Sequence, residues 1–443
     1  MSKPASLTTQ QLVEIVENQQ APLVDVRPIE AYNGWQLKGE ARGGHIPGAR
    51  NIPLKWTRYM DWIEVLDEKG IRKESPVVLY GYSEEETEEM AGRLYDLGYK
   101  EVSVYNHFVD EWTSDPSRRL ERLPRYKDLV YPGWVDALVS GEKPEGMEGD
   151  RFVICHSHYD HIEDYYKGHI PGAIPVDTNS LESTETWNRR SPEELEESLT
   201  ALGIDNHTTV ILYGRFASPD FESEAFPGKS AGHLGAIRSA ALMLYAGVKD
   251  VKILNGGITS WEIDGYSIST EEVKPEPVDS FGAEIPGRPD LMIDTPQAKQ
   301  LIESEKGELV SIRSWEEFIG NSSGYHYIEK RGRIPGAIFG NCGSDAYHME
   351  NYRNFDHTMR EFHEVASAWN DGGISPEKKV AFYCGTGWRG SEAFMNAWLM
   401  GWPRVSVYDG GWYEWCSDPE NPIETGNPEP SRLTAAMGDE EMN

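Results

Sequence analysis

Gly44-His-Ile-Pro-Gly-Ala49 recurs as Gly168-His-Ile-Pro-Gly-Ala173 and, with one change, as Gly332-Arg-Ile-Pro-Gly-Ala337. A hexapeptide that returns at domain-sized intervals marks a unit written three times, and such repeats decide a fold before any local pattern does. Each copy is followed by a short apolar strand ending in tyrosine: Val77-Val-Leu-Tyr80, Val210-Ile-Leu-Tyr213 and Val380-Ala-Phe-Tyr383. A loop, a helix and a second strand come next, at Val102-Ser-Val-Tyr105, Val251-Lys-Ile-Leu254 and Val405-Ser-Val-Tyr408. A tryptophan closes each unit, at Trp112, Trp261 and Trp415. Short apolar strands alternating with helices predict an α/β protein of three tandem modules, each a small parallel sheet with helices on both faces.

Composition sets the boundaries. Ser114-Asp-Pro-Ser-Arg-Arg119 and Pro124 separate the first module from the second, and the Pro-rich run Val273-Lys-Pro-Glu-Pro-Val-Asp279 through Pro289 leads into the third. The expected division is 1–124, 125–272 and 273–430, followed by an acidic tail at 431–443. The 443 residues carry 42 Lys and Arg against 74 Asp and Glu, a formal charge of −32. That balance supplies no basic face for nucleic acid or an anionic membrane. Hydrophobic residues at 38% are enough for real cores, so the acidity does not signal disorder. No apolar run approaches the roughly 18 residues of a membrane span, and the N-terminus has no secretory apolar segment. Four cysteines, Cys155, Cys342, Cys384 and Cys416, are too few for a disulfide framework and form no CxxC pair. A reduced, cytoplasmic protein is expected.

Aligning the three loops on the strand-ending tyrosine locates the chemistry. The next residue is Gly81 in the first module, Gly214 in the second and Cys384 in the third. Only the third keeps a nucleophile, so the first two modules are expected to be inactive. Its loop, Cys384-Gly-Thr-Gly-Trp-Arg389, has two glycines, Gly385 and Gly387, that let the backbone curl with several N–H groups inward. The N-terminus of the following helix adds positive potential at the same point, and Arg389 stands beside it. A cradle of this kind suits a thiolate and the persulfide it becomes. The competing reading is a buried strand-end cysteine. A Cys-based phosphatase would place five residues between Cys and Arg, where this loop has four, a ring better matched to sulfur than to phosphate. His156-Ser-His-Tyr-Asp-His161 fits the HxHxDH zinc pattern of another hydrolase fold. It sits inside a module too short for that fold, so no metal is expected.

The repeated G-H-I-P-G-A signature, the buried strand and the cysteine loop resemble the rhodanese (sulfurtransferase) module over nearly the whole chain. The run Gly332–Arg353, the loop Cys384–Glu392, the segment Val405–Trp415 and the long second-module loop Arg215–Lys229 look like the rhodanese-like ergothioneine synthases of anaerobic green sulfur bacteria. The resemblance implies that Cys384 takes sulfur from polysulfide as a persulfide and passes it to C2 of the imidazole in hercynine, the trimethylated betaine of histidine. On that reading Arg389 and Tyr325 are catalytic, with Tyr325 and Thr386 bonding the ring nitrogens and Glu317 fixing the imidazole protonation state. Trp388 or Tyr383 would face the trimethylammonium group. No cofactor is implied; the partners are a small-molecule donor, polysulfide or thiosulfate, and a small-molecule acceptor. Two other readings stay open: a general thiosulfate sulfurtransferase acting on a thiol, cyanide or a carrier protein, and a catalytically silent docking protein.

Overall fold

The computed structural model describes residues 3–216 and 232–428 and divides into two compact units, Met1–Tyr126 and Lys127–Asn443. The first unit holds one sheet, of β1 (Ala5–Ser6), β2 (Leu23–Asp25), β3 (Arg50–Asn51), β4 (Val77–Tyr80) and β5 (Val102–Tyr105), in the order β1-β5-β4-β2-β3. The second unit holds two more. One is built from β6 (Leu129–Val130), β7 (Phe152–His158), β8 (Ile174–Asp177), β9 (Thr209–Gly214) and β10 (Asp250–Leu254). The other contains β11 (Met292–Ile293), β12 (Gly307–Ser311), β13 (Ile338–Phe339), β14 (Lys379–Tyr383) and β15 (Val405–Tyr408). Their orders, β6-β10-β9-β7-β8 and β11-β15-β14-β12-β13, repeat the first, and the strand pairings are parallel throughout. Parallel neighbours need crossovers, and helices supply them.

The repeated signature has a mechanical explanation. Gly44, Gly168 and Gly332 hold positive φ angles of 116°, 149° and 115°. A Cβ there would strike Glu121 O at 2.3 Å, Ile268 Cγ2 at 2.5 Å and Glu424 O at 2.3 Å respectively. The following residue forms an antiparallel bridge to the chain returning past the module's closing tryptophan: His45 with Glu121, His169 with Ser269, Arg333 with Glu424. The indole N–H groups of Trp112, Trp261 and Trp415 bond carbonyls of that returning segment, at Arg119, Ser267 and Pro422. The one altered letter is compensated locally. His45 stacks on Tyr32 and His169 on Tyr165, with ring centroids 3.6 and 3.7 Å apart, whereas Arg333 lies over the Phe318 ring at 5.0 Å.

Within the second unit the two sheets are joined through buried charge. Four helices matter for the site: α1 (Gly232–Ala246), α2 (Trp315–Ile319), α3 (Trp388–Leu399) and α4 (Gly411–Ser417). Arg238 on α1 is fully buried and donates to Asp409 at 2.5 Å, just beyond β15, and to Glu182 at 3.0 Å. Arg189 reaches the other Asp409 oxygen at 2.9 Å. Burial opposes ionisation of Asp409, but Arg238 and then Arg189 outweigh it and hold the carboxyl below its usual range. Removing one member of a buried ion cluster strands the others. Asp409→Ala is expected to cost about 3–5 kcal/mol, read as a lowered denaturant midpoint; an unchanged midpoint would contradict this account of the joint.

Candidate active site

Cys384 stands at the C-terminal end of β14, fully buried. Two carbonyls of its loop are turned outward and held by the first turn of α4. Trp412 N donates to Cys384 O at 2.8 Å and Tyr413 N to Gly385 O at 2.9 Å. Because N–H and C=O of a trans peptide point opposite ways, this turns the adjoining amides inward. Among the described residues, the amides of Gly385, Thr386 and Gly387 donate to no backbone carbonyl. Gly387, at φ 88°, is the N-cap of α3, which has no acidic residue in its first turn. The corresponding helix of the first module, Glu84–Asp96, opens instead on Glu84, Glu85 and Glu86, an arrangement that repels an anion.

Space forbids a cysteine in the other copies as built. A Cβ on Gly81 would lie 2.8 Å from Val26 Cγ2, and one on Gly214 would lie 2.2 Å from the Gly232 backbone. In the third module the tight position is Gly385, whose added Cβ would fall 2.2 Å from Tyr325 Cε2. The tyrosine ring therefore packs directly on the cysteine loop.

Arg389, 1% exposed, ties the loop to the rest of the site. Its two terminal nitrogens donate to Glu317 in a bidentate pair, both at 2.9 Å. They also reach Tyr325 Oη at 2.8 Å, Cys342 Sγ at 3.0 Å and Asp345 O at 3.2 Å. Its Nε is buried and without a hydrogen-bond partner. Arg313 grips Glu317 from the other side at 3.1 Å. Burial pushes the Glu317 carboxyl up, but Arg389 and then Arg313 pull it down to about 2. Burial drives the Tyr325 phenol well above its ordinary range, so it stays protonated.

Beside the loop opens a pocket, about 430 Å³ counting the space open to solvent. The third module lines it with Tyr325, Tyr327, Ala346, Tyr347, Thr386, Trp388 and Arg389, and the second contributes Tyr159, Trp187 and Leu234. Trp187 lies 4.8 Å from the Tyr327 ring, and Tyr159 meets Trp388 edge-on at 5.4 Å.

A model of the rhodanese-like domain matches residues 8–115, 159–264 and 294–418. The chain belongs to the rhodanese-like family. It is 40% identical over 435 residues to the thiosulfate sulfurtransferase YnjE of Escherichia coli K12, covering 96% of this chain and 92% of that protein. Among solved structures it is similar to the anaerobic ergothioneine biosynthesis enzyme of Chlorobium limicola bound to its natural substrate, trimethyl histidine. Identity there is 53%, TM-score 0.94, with 96% of this chain and 100% of that one covered. A tyrosine-to-phenylalanine variant of EanB, its cysteine persulfide in a tetrahedral intermediate state with ergothioneine, matches at 53% identity and TM-score 0.93, with the same coverage. The protein is a rhodanese-type sulfurtransferase.

The rhodanese-like frame sorts the residues singled out from sequence. It brings Cys384, Gly385, Thr386, Gly387, Trp388, Arg389 and Tyr325 together. Two expectations need correction. Tyr383 does not line the pocket: its ring is wholly buried in the core with Tyr408 and Trp412. Its counterparts Tyr80 and Tyr213 accept the Ile46 and Ile170 amides of the repeated signature, whereas the buried Tyr383 hydroxyl has no hydrogen-bond partner. Glu317 does not face the acceptor either. Its oxygens are consumed by Arg389, Arg313 and the Ser314 amide and hydroxyl, closing a capping box on α2. His156 is enclosed edge-on by Tyr165 and Tyr213, and burial keeps it neutral. Among the described residues no three ligand atoms of the stretch 156–161 converge. Residues 217–229 of the long second-module loop, and the acidic tail, lie outside the described residues. Sequence reasoning missed Tyr159, Trp187 and Leu234, which no pattern local to the cysteine module could reveal.

Proposed function

We propose that the enzyme moves sulfane sulfur from polysulfide to C2 of hercynine, making ergothioneine. The observation that carries this reading is the aromatic pocket beside the cysteine loop, lined by the rings of Tyr159, Trp187, Tyr327 and Trp388, a composition that suits a quaternary ammonium group. A thiosulfate dianion has no use for such a wall. The 53% identity to enzymes solved with hercynine or ergothioneine supports the same choice.

In the first step the Cys384 thiolate attacks a polysulfide sulfur. One S–S bond forms, another breaks, and the shortened polysulfide leaves. The inward amides, the N-terminus of α3 and Arg389 stabilise the persulfide anion. In the second step a C2–S bond forms, the Cys384–sulfur bond breaks, and the cysteine returns as thiol while the C2 proton leaves. The sulfane sulfur is reduced as the carbon is oxidised, so no outside redox partner is required. Tyr325 accepts from Arg389, which leaves its own proton to donate to an imidazole nitrogen, with Thr386 alongside. Tyr325→Phe is expected to slow transfer to hercynine about a hundredfold, measured as single-turnover product formation; a rate within twofold of the parent would remove Tyr325 from the step. Reduced cysteines suit a cytoplasmic setting, and among the described residues no helix is long and apolar enough to cross a membrane.

The second reading, general thiosulfate sulfurtransferase, rests on the identity to YnjE. Pairing each donor, polysulfide or thiosulfate, with each acceptor, hercynine or cyanide, separates the two. The proposal expects polysulfide with hercynine to give the highest kcat/KM. Turnover of thiosulfate and cyanide alone would favour the other reading.

A further inference from the structure

The indole of Trp388 is clamped from the second module. Its Nε1 donates to both oxygens of Glu182, at 2.9 and 3.1 Å. Glu182 is fully buried and is itself held by Arg238 Nε at 3.0 Å. Tyr159 closes on one edge of the ring. On α1, Gly235 leaves the room the ring occupies: a Cβ there would come within 3.3 Å of the indole Cη2 and 2.9 Å of Thr178 Cγ2. Trp388 is also the first residue of the helix that follows the cysteine loop and part of the pocket wall. Without a partner for its N–H, an indole at this position could turn about its side-chain torsions and withdraw its face.

We infer that Glu182 is a positioning residue for the acceptor: it fixes the Trp388 ring so that its face is presented to a cationic substrate. The second module, with glycine in place of the nucleophile, thereby acts as the part that sets acceptor selectivity for the third. The inference rests on the hercynine reading above. It asks nothing of Glu182 in forming the persulfide, since the carboxylate reaches the site through Trp388. A carboxylate holding an indole N–H restricts the ring without touching substrate, which makes its effect separable from a general loss of packing.

The test measures hercynine affinity by titration calorimetry on the full chain in a Cys384→Ala background. Glu182→Ala is expected to weaken binding roughly tenfold, as for loss of a buried hydrogen bond. Glu182→Gln keeps a carbonyl acceptor for the indole and should recover most of that loss. Trp388→Phe removes the N–H while keeping a ring, and in its presence neither Glu182 variant should weaken binding further. Equal affinity of parent and Glu182→Ala would overturn the inference, and so would additive losses in the Trp388→Phe background. Should Glu182→Ala fail to fold, Glu182→Leu, which removes the acceptor while filling its volume, takes its place in the cycle with Trp388→Phe and decides by the same criterion. A parent protein that does not bind hercynine at all overturns the hercynine reading and this inference with it, an outcome distinct from the others.

Discussion

Cys384→Ser is expected to remove sulfur transfer to every acceptor, a loss of about a thousandfold or more in kcat/KM. A serine hydroxyl cannot store a sulfane sulfur, and the equivalent positions of the other modules are Gly81 and Gly214. None of the remaining cysteines is placed to substitute. Burial raises the thiol of Cys155 far above its usual range, and Cys416 is buried in the core beside Trp415. Cys342 is the one near competitor, 3.0 Å from Arg389. Burial nonetheless pushes its thiol up to about 12 despite that arginine, so it stays protonated and weakly nucleophilic. Mass spectrometry after polysulfide treatment should show the added sulfur on Cys384 in the parent and nothing on Cys384→Ser. Substantial turnover in the serine variant would instead point to a relay through Cys342.

Glu317→Ala is expected to have the next largest effect, on stability and activity together. Two buried arginines, Arg313 and Arg389, share this carboxylate. Its removal leaves both without their counter-charge, at about 3–5 kcal/mol. Arg389 would also lose the bidentate hold that fixes its guanidinium against Tyr325, Cys342 and Asp345. The same carboxylate predicts acid behaviour. With a folded pKa of about 2 against an ordinary 4.5, its ionised form stabilises the fold above about pH 5. That contribution, about 3 kcal/mol for a shift of this size, fades as pH falls toward 2. Denaturant unfolding between those limits should show the parent losing stability as pH drops and Glu317→Ala losing less. Parallel pH curves would mean that the pair is not ionised as described.

The fold was legible because its unit is repeated. Three signatures, three strand-end tyrosines and three closing tryptophans could only be satisfied by three similar sheets, and the β1-β5-β4-β2-β3 order recurs in each. The nucleophile was legible for the converse reason, that one copy departs from the other two. The same comparison, pressed further, would have corrected Tyr383. A tyrosine present and fully buried in all three modules, two of them without cysteine, serves what the modules share, which is the core of the sheet. Glu317 carried a local signal as well. Ser314 and Glu317 stand at capping-box spacing, which commits the carboxylate to its own helix before any substrate arrives. The second module's contribution had no such signal. Glu182 and Tyr159 meet Trp388, and Trp187 meets Tyr327, across the seam where α1 packs on α3, and no period or spacing encodes those contacts.

One measurement bears most directly on the account. Protein loaded with polysulfide, freed of excess donor and then mixed anaerobically with hercynine undergoes a single turnover. The account predicts one ergothioneine for each Cys384 persulfide consumed, with Cys384 returning to the mass of the free thiol. A persulfide that survives hercynine but is discharged by cyanide or a simple thiol would contradict it.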